Sequence, residues 1–220
     1  MASAIIIDDF NNPAGGQVVC AGACGPVPVP SSSSLVVAGV IGGERDIRVV
    51  RNSGGGRVDG NANAFDLGDL TFGAVVAAGT LYLQYDGFDG DPTNLSFLLG
   101  GGAGLNLYDS VGVRYLITST VDTGGTAIFR FYTSAGNFIE GTDVIPALAP
   151  AGPRQLDFSS FTTTGVFDLN AVRAIEVTLV GNTNLDLTVD FVETYTPEPL
   201  SFVLTGAGLL ALGLLRRRRS

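Results

Sequence analysis

The chain of 220 residues has no histidine and no tryptophan, and its basic residues are all arginine. Without an imidazole, the Ser-His-Asp and Cys-His arrangements are excluded, and with them the usual general base near neutral pH. Without an indole, there is no Trp ring to build a sugar platform. Cysteine is scarce too: Cys20 and Cys24 are the only two, so a structural zinc site, which takes four Cys or His ligands, is out of reach. In "VVCAGACGP" they are close enough to form a small disulfide loop in an oxidising compartment, and otherwise form a pair of thiols. Long helical periodicity is missing ahead of the tail, because 31 glycines and 10 prolines interrupt it. Internal repeats are missing as well, and the one low-complexity stretch, "PVPVPSSSS" at 26–34, reads as an exposed extended loop.

Positive charge is the next shortage. Acids number 21 against 12 arginines, and Arg216, Arg217, Arg218 and Arg219 crowd the end of the chain, so the body ahead of them is strongly acidic. A field of that sign repels phosphates, and no Arg cluster interleaved with aromatics overrides it, which argues against nucleic acid binding.

What is present is short β-branched and aromatic segments bounded by turn residues. They include "AIIIDDF", "ERDIRVV", "GTLYLQYDG", "VGVRYLITST", "VRAIEVTLVG" and "LDLTVDFVETY". In "TAIFRFYT", Ala127, Phe129 and Phe131 fall on one face and Ile128, Arg130 and Tyr132 on the other, and "SAGN" supplies the turn. In "LDLTVDFVE" the same alternation predicts Leu185, Leu187, Val189 and Phe191 inward, with Asp186, Thr188, Asp190 and Val192 outward. The fold expected from this is an all-β antiparallel sandwich over residues 1–196. The order of elements, from the opening "IDDF" to the closing "VDFVET", resembles galactose-binding and carbohydrate-module jelly rolls, and that resemblance implies a jelly roll.

Function is less plainly written. A non-enzymatic body is expected, although Asp86, Asp89, Asp91, Glu140 and Glu176 are carboxylates of the type that hydrolyses glycosides in pairs. "YDGFDGDPTN" gathers Asp86, Asp89, Asp91 and Asn94 on a glycine-rich turn, either as hard oxygen ligands for calcium or as ordinary turn residues. The jelly-roll resemblance implies a structural calcium joining the first and last strands, for which Asp8, Asp9 and Asp190 are the ligands to expect. Tyr82, Tyr85, Tyr108, Tyr115 and Tyr132 offer stacking faces for sugar rings, or else core packing.

The end of the chain, "TPEPLSFVLTGAGLLALGLLRRRRS", has another character. No charge occurs over 200–215, and those residues as a helix rise roughly 24 Å against a hydrocarbon core of about 30 Å. Snorkelling arginine stems and local thinning of the bilayer close the gap. Arginine is retained on the cytoplasmic side, so the body faces outward. Pro197 and Pro199 disfavour helix at the residues before them, which leaves an extended peptide open to processing; equally, Glu198 and Pro199 suit the start of an ordinary tail anchor.

A PEP element, a short apolar helix and a terminal arginine block, in that order over 197–219, resemble the PEP-CTERM sorting signal of exopolysaccharide-producing Gram-negative bacteria. The resemblance implies recognition at Pro197, Glu198 and Pro199 by an exosortase, an integral membrane cysteine peptidase, with Arg216 to Arg219 as the basic stop. It also implies transient residence in the inner membrane and a mature form at the cell surface or outside the cell. The producer's exopolysaccharide is then a candidate partner, and a membrane-anchored carbohydrate-binding module is the alternative. Members of this family begin with a secretory leader, whereas "MASAIIIDDFNN" has no basic region, so the expectation is that an apolar leader lies upstream of Met1.

Overall fold

The computed structural model describes residues 4–12, 14–26, 29–63 and 68–196. The expected sorting elements, Pro197 to Pro199, the apolar helix over 200–215 and Arg216 to Arg219, lie outside the described residues. Among the described residues, no helix is long and apolar enough to cross a membrane.

The described residues are nearly all β, with antiparallel strand pairing and two short 3-10 turns, Leu99–Gly102 and Phe158–Ser160. In order, the strands are β1 (Ile6–Asp8), β2 (Gln17–Gly22), β3 (Ser32–Val36), β4 (Glu44–Ala62), β5 (Leu70–Tyr85) and β6 (Gly112–Ile117). They continue as β7 (Gly125–Ser134), β8 (Asn137–Ile145), β9 (Gly152–Asp157), β10 (Thr162–Thr164), β11 (Ala174–Gly181) and β12 (Asp186–Tyr195). β4 and β5 run 19 and 16 residues, longer than an ordinary strand, and this length builds two layers from one sheet.

β4 follows one edge of β5 along nearly its full length. The other edge divides: the 79–85 half pairs with β11 and the 70–73 stretch pairs with β12. One branch continues through β11, β7, β8 and β10, the other through β12, β6 and β9. The corner between them falls where the β4–β5 register shifts, between Gly54 and Arg57. Backbones approach so closely there that a Cβ on Gly54 would lie 2.4 Å from the Val76 carbonyl oxygen, and one on Gly56 1.8 Å from that of Val75. Only glycine fits.

The two branches lie face to face. Tyr115 of β6 packs on Phe129 of β7 with ring centroids 5.3 Å apart, and its hydroxyl donates to Asp143 of β8 at 2.7 Å. Ile47, Leu81, Leu83, Phe129 and Phe131 from one branch and Phe72, Ile117, Leu187 and Val189 from the other form one contiguous buried cluster.

The alternation read from "TAIFRFYT" holds, with Ala127, Phe129 and Phe131 all buried. In β12 it holds only through Val189. A register irregularity between Val189 and Val192 against β6 then reverses the parity, so Val192 is buried and Phe191 is only half-buried. One extra residue in a bulge moves every following side chain to the opposite face.

Candidate functional site

The site grows from the first residues of β4, where successive side chains take opposite faces. Arg45 points into the core and is 1% exposed. Its Nη1 donates to Asp8 Oδ2 at 2.9 Å, its Nε to Gln17 Oε1 at 2.7 Å and its Nη2 to the Gly15 carbonyl, and its guanidinium lies over the Phe10 ring. Asp8 also accepts from the Tyr85 hydroxyl at 3.1 Å and the Phe10 N–H at 2.9 Å. Burial pushes the Asp8 carboxyl above its ordinary value, and the Arg45 charge opposes that shift.

Asp8, Asp9 and Asp190, the ligands expected for a calcium, are not gathered into one group among the described residues. A guanidinium already neutralises Asp8, and Asp9 accepts from the Asn11 N–H within its own loop at 3.2 Å. Among the described residues, the carboxylates that converge are others.

Those are Asp46, Asp86 and Asp89, which bring one oxygen each to within 4.8 Å of one another. Asp46 is the residue after Arg45 and takes the opposite face of β4. Asp86 follows the last residue of β5, and Asp89 sits in the loop beyond. Asp46 and Asp86 are each 1% exposed, and each keeps one carboxylate oxygen, Oδ2 of Asp46 and Oδ1 of Asp86, buried with no partner.

Glu44 borders the group and clasps the loop, accepting from the N–H of Asp89 at 2.8 Å and of Gly90 at 3.1 Å. The Ser34 hydroxyl contacts both Glu44 Oε1 and Asp46 Oδ1, but has a single proton to donate. Burial first, and then the charges of Asp86, Glu44 and Asp89, push the Asp46 carboxyl up to about 7, although the Ser34 bond opposes them. Burial, with Asp89 and Glu44, pushes Asp86 up to about 6 against the hydrogen bonds from Ser96. Among the described residues, none of the four acids is in an ion pair.

Of the acids expected from "YDGFDGDPTN", Asp86 and Asp89 thus converge and Asp91 does not. Asp91 closes its own turn by accepting from Asn94 Nδ2 at 2.8 Å and the Thr93 N–H at 3.0 Å, and these bonds, Asn94 first, hold its carboxyl down at about 2. Asp46 is the member that sequence reasoning missed. Its signal was present: in "ERDIRVV", Glu44 and Asp46 share one face of a strand whose arginine between them points the other way.

From Asp46 a polar row crosses the sheet on the face away from the core. Ser34, Asp46, Gln84, Glu176, Arg130, Glu140 and Thr162 are successive register partners over β3, β4, β5, β11, β7, β8 and β10. Gln84 Nε2 donates to Glu176 at 3.0 Å, and Arg130 bridges Glu176 at 3.0 Å and Glu140 at 2.5 Å. In the next row the Arg48 guanidinium lies 4.3 Å from the Tyr82 ring centroid, with Thr178 beside Tyr82. Gln84 Oε1, Arg48 Nε and Thr178 Oγ1 are buried without partners.

The other tyrosines divide. Tyr85 and Tyr115 are interior, Tyr132 packs between Phe97 and Phe138, and Tyr108 is exposed. Cys20 and Cys24 form a disulfide. The loop after β5 borders a cleft of about 570 Å³ lined by Gly42, Gly87, Phe88, Leu98 and Leu105 among others.

No protein-family model matches the chain, and no curated protein does. Among solved structures, the chain is similar to a family 11 carbohydrate-binding module from Clostridium thermocellum in complex with a β-1,3-1,4-mixed-linked tetrasaccharide. Identity is 12%, 89% of this chain and 97% of that one are covered, and the TM-score is 0.45. It is also similar to TmCBM61 in complex with β-1,4-galactotriose, at 8% identity over 89% of this chain and 99% of that one, with a TM-score of 0.36. A third similar structure is the agarase AgWH50C, at 9% identity over 89% of this chain and 25% of that one, with a TM-score of 0.44.

Proposed function

We propose that this chain is a non-enzymatic component of the cell envelope or extracellular matrix, exported and then sorted through a C-terminal PEP-CTERM signal by an exosortase-type membrane peptidase. The observation that carries the reading is the order of elements at the C-terminus: Pro197, Glu198 and Pro199, the uncharged run 200–215, then Arg216 to Arg219. In this reading the apolar run enters the inner membrane, the arginines stay on the cytoplasmic side, and the proline-flanked peptide is offered for cleavage.

The Cys20–Cys24 bond agrees with passage through an oxidising compartment. A jelly-roll arrangement of the two layers belongs to the same reading. The absence of histidine, and the engagement of both Glu140 and Glu176 by Arg130, agree with a body that performs no catalysis.

Intact-mass measurement of the protein from its native cell tests the reading. The expected mass lacks the apolar run and the arginines; a mature chain that keeps both is a permanent anchor and sinks the sorting reading.

A second reading, a membrane-anchored carbohydrate-binding module, draws support from the polar rows on the sheet. They place an unpartnered carboxamide oxygen, guanidinium N–H and threonine hydroxyl around Tyr82. Sugar hydroxyls both donate and accept, so a glycan chain laid across the rows satisfies atoms of either kind. Retention of the protein by the producer's exopolysaccharide, lost on Gln84→Ala and Arg48→Ala, is the expected result. Equal retention of the variants removes this reading.

A further inference from the structure

We propose that Asp46, Asp86 and Asp89 bind one calcium ion that fastens the 86–98 loop to the sheet. The site rests on neither reading above, although Gln84 belongs both to its surroundings and to the polar rows of the second reading.

The first observation is convergence. Three carboxylate oxygens lie within 4.8 Å of one another, the span that two ligands have across a calcium ion with bonds of about 2.3–2.6 Å. The acids come from separate places, the start of β4 for Asp46 and the end of β5 and the loop beyond for Asp86 and Asp89.

The second observation is that buried oxygen atoms are left over. Asp46 Oδ2 and Asp86 Oδ1 have no partner, although both side chains are almost fully buried. A buried carboxylate oxygen without a donor costs free energy that a well-chosen neighbour normally removes. Gln84, directly opposite Asp46 in the register, commits its Nε2 to Glu176 and leaves Oε1 buried and unpartnered as well. This neutral oxygen belongs to no acidic cluster, and it suits a hard cation as carboxylates do.

The third observation is proton accounting. With both carboxyls ionised, Ser34 touches two carboxylates with one hydroxyl proton, so one of the two contacts sets oxygen against oxygen. Glu44 itself is committed to the loop backbone at Asp89 and Gly90, which holds the loop in position without neutralising the cluster.

These donors are hard oxygens, and among the described residues no histidine or cysteine joins them, which selects calcium or magnesium over zinc or copper. Magnesium favours a few carboxylates with several retained waters, whereas three carboxylates, two buried and one (Asp89) exposed, with an amide oxygen in register beside Asp46, suit the larger, less regular calcium shell.

The test uses the full-length chain, stripped with chelator and titrated with calcium chloride in a calorimeter. One ion binds per chain, with a dissociation constant of the order of 10⁻⁴ to 10⁻³ M, the range of weak calcium-binding modules. The midpoint of thermal unfolding rises with calcium accordingly. Asp46→Asn and Asp89→Asn each weaken binding by about tenfold or more, while Asp91→Asn, in the same loop but outside the cluster, leaves affinity unchanged.

Misfolding is separable from loss of a ligand, because in chelator Asp46→Asn removes a charge from a crowd of like charges and unfolds at a higher temperature than the parent chain. The proposal is overturned by the absence of saturable calcium binding, by Asp91→Asn weakening it as much as Asp89→Asn, or by a lower unfolding temperature of Asp46→Asn in chelator.

Discussion

Arg45 and Asp46 are consecutive on one strand and equally buried, yet the surroundings on the two faces of β4 are opposite in kind. On the core side, Arg45 meets Asp8, Gln17 and the Gly15 carbonyl, and the charges cancel inside the protein. On the other side, Asp46 meets Asp86, Asp89 and Glu44, and the charges add. Burial is therefore the same on both faces and decides nothing by itself. What matters is whether the fold supplies the counter-charge or leaves it to solution.

The largest expected effect lies on the core side. Arg45→Met strands Asp8 in the interior, and urea unfolding should show a loss of about 3–5 kcal/mol, the usual result of removing one member of a buried pair. If the loss is near zero, Asp8 has another way to lose its charge and the contrast between the faces disappears.

Reducing the Cys20–Cys24 bond, which ties β2 to the residues that follow it, sets the scale. Its loop is short, and chain-entropy reasoning gives about 2 kcal/mol, less than the Arg45 substitution. On the opposite face of β4, Asp46→Asn should stabilise the chelator-treated protein by on the order of 1 kcal/mol, a change of the opposite sign on the neighbouring residue.

The smallest effect is a titration. Tyr132, bordering the polar row, has its hydroxyl pushed up to about 12, first by burial and then by the Glu176 charge. The folded chain keeps a proton that the unfolded chain loses above the ordinary tyrosine value of 10. The stability it contributes is present below pH 10 and is lost as pH rises toward about 12, which phenolate absorbance against pH reports.

Strands and their faces were legible wherever alternation ran unbroken, as in β7, because a period of two follows from the chain alone. The reversal at Phe191 and Val192 was not, since a bulge is set by how β12 meets β6 and by nothing local to β12. Asp86 and Asp89 were legible because they are near neighbours in one loop. Asp46 reaches them through the β4–β5 register, which sets it opposite Gln84, and alternation within "ERDIRVV" implied only that it shares a face with Glu44. The Asp8–Arg45 pair, 37 residues apart, left no trace in local pattern.

Amino-acid order alone thus dictated an acidic β-chain without imidazole chemistry, its strand periodicity, and turns such as the one Asp91 closes, because each depends on composition or on residues a few positions apart. Packing in three dimensions chose which carboxylate meets a guanidinium and which meets other carboxylates with no cation among them. Electrostatic energy depends on distances of a few ångströms between residues that only strand register and the facing layers bring together.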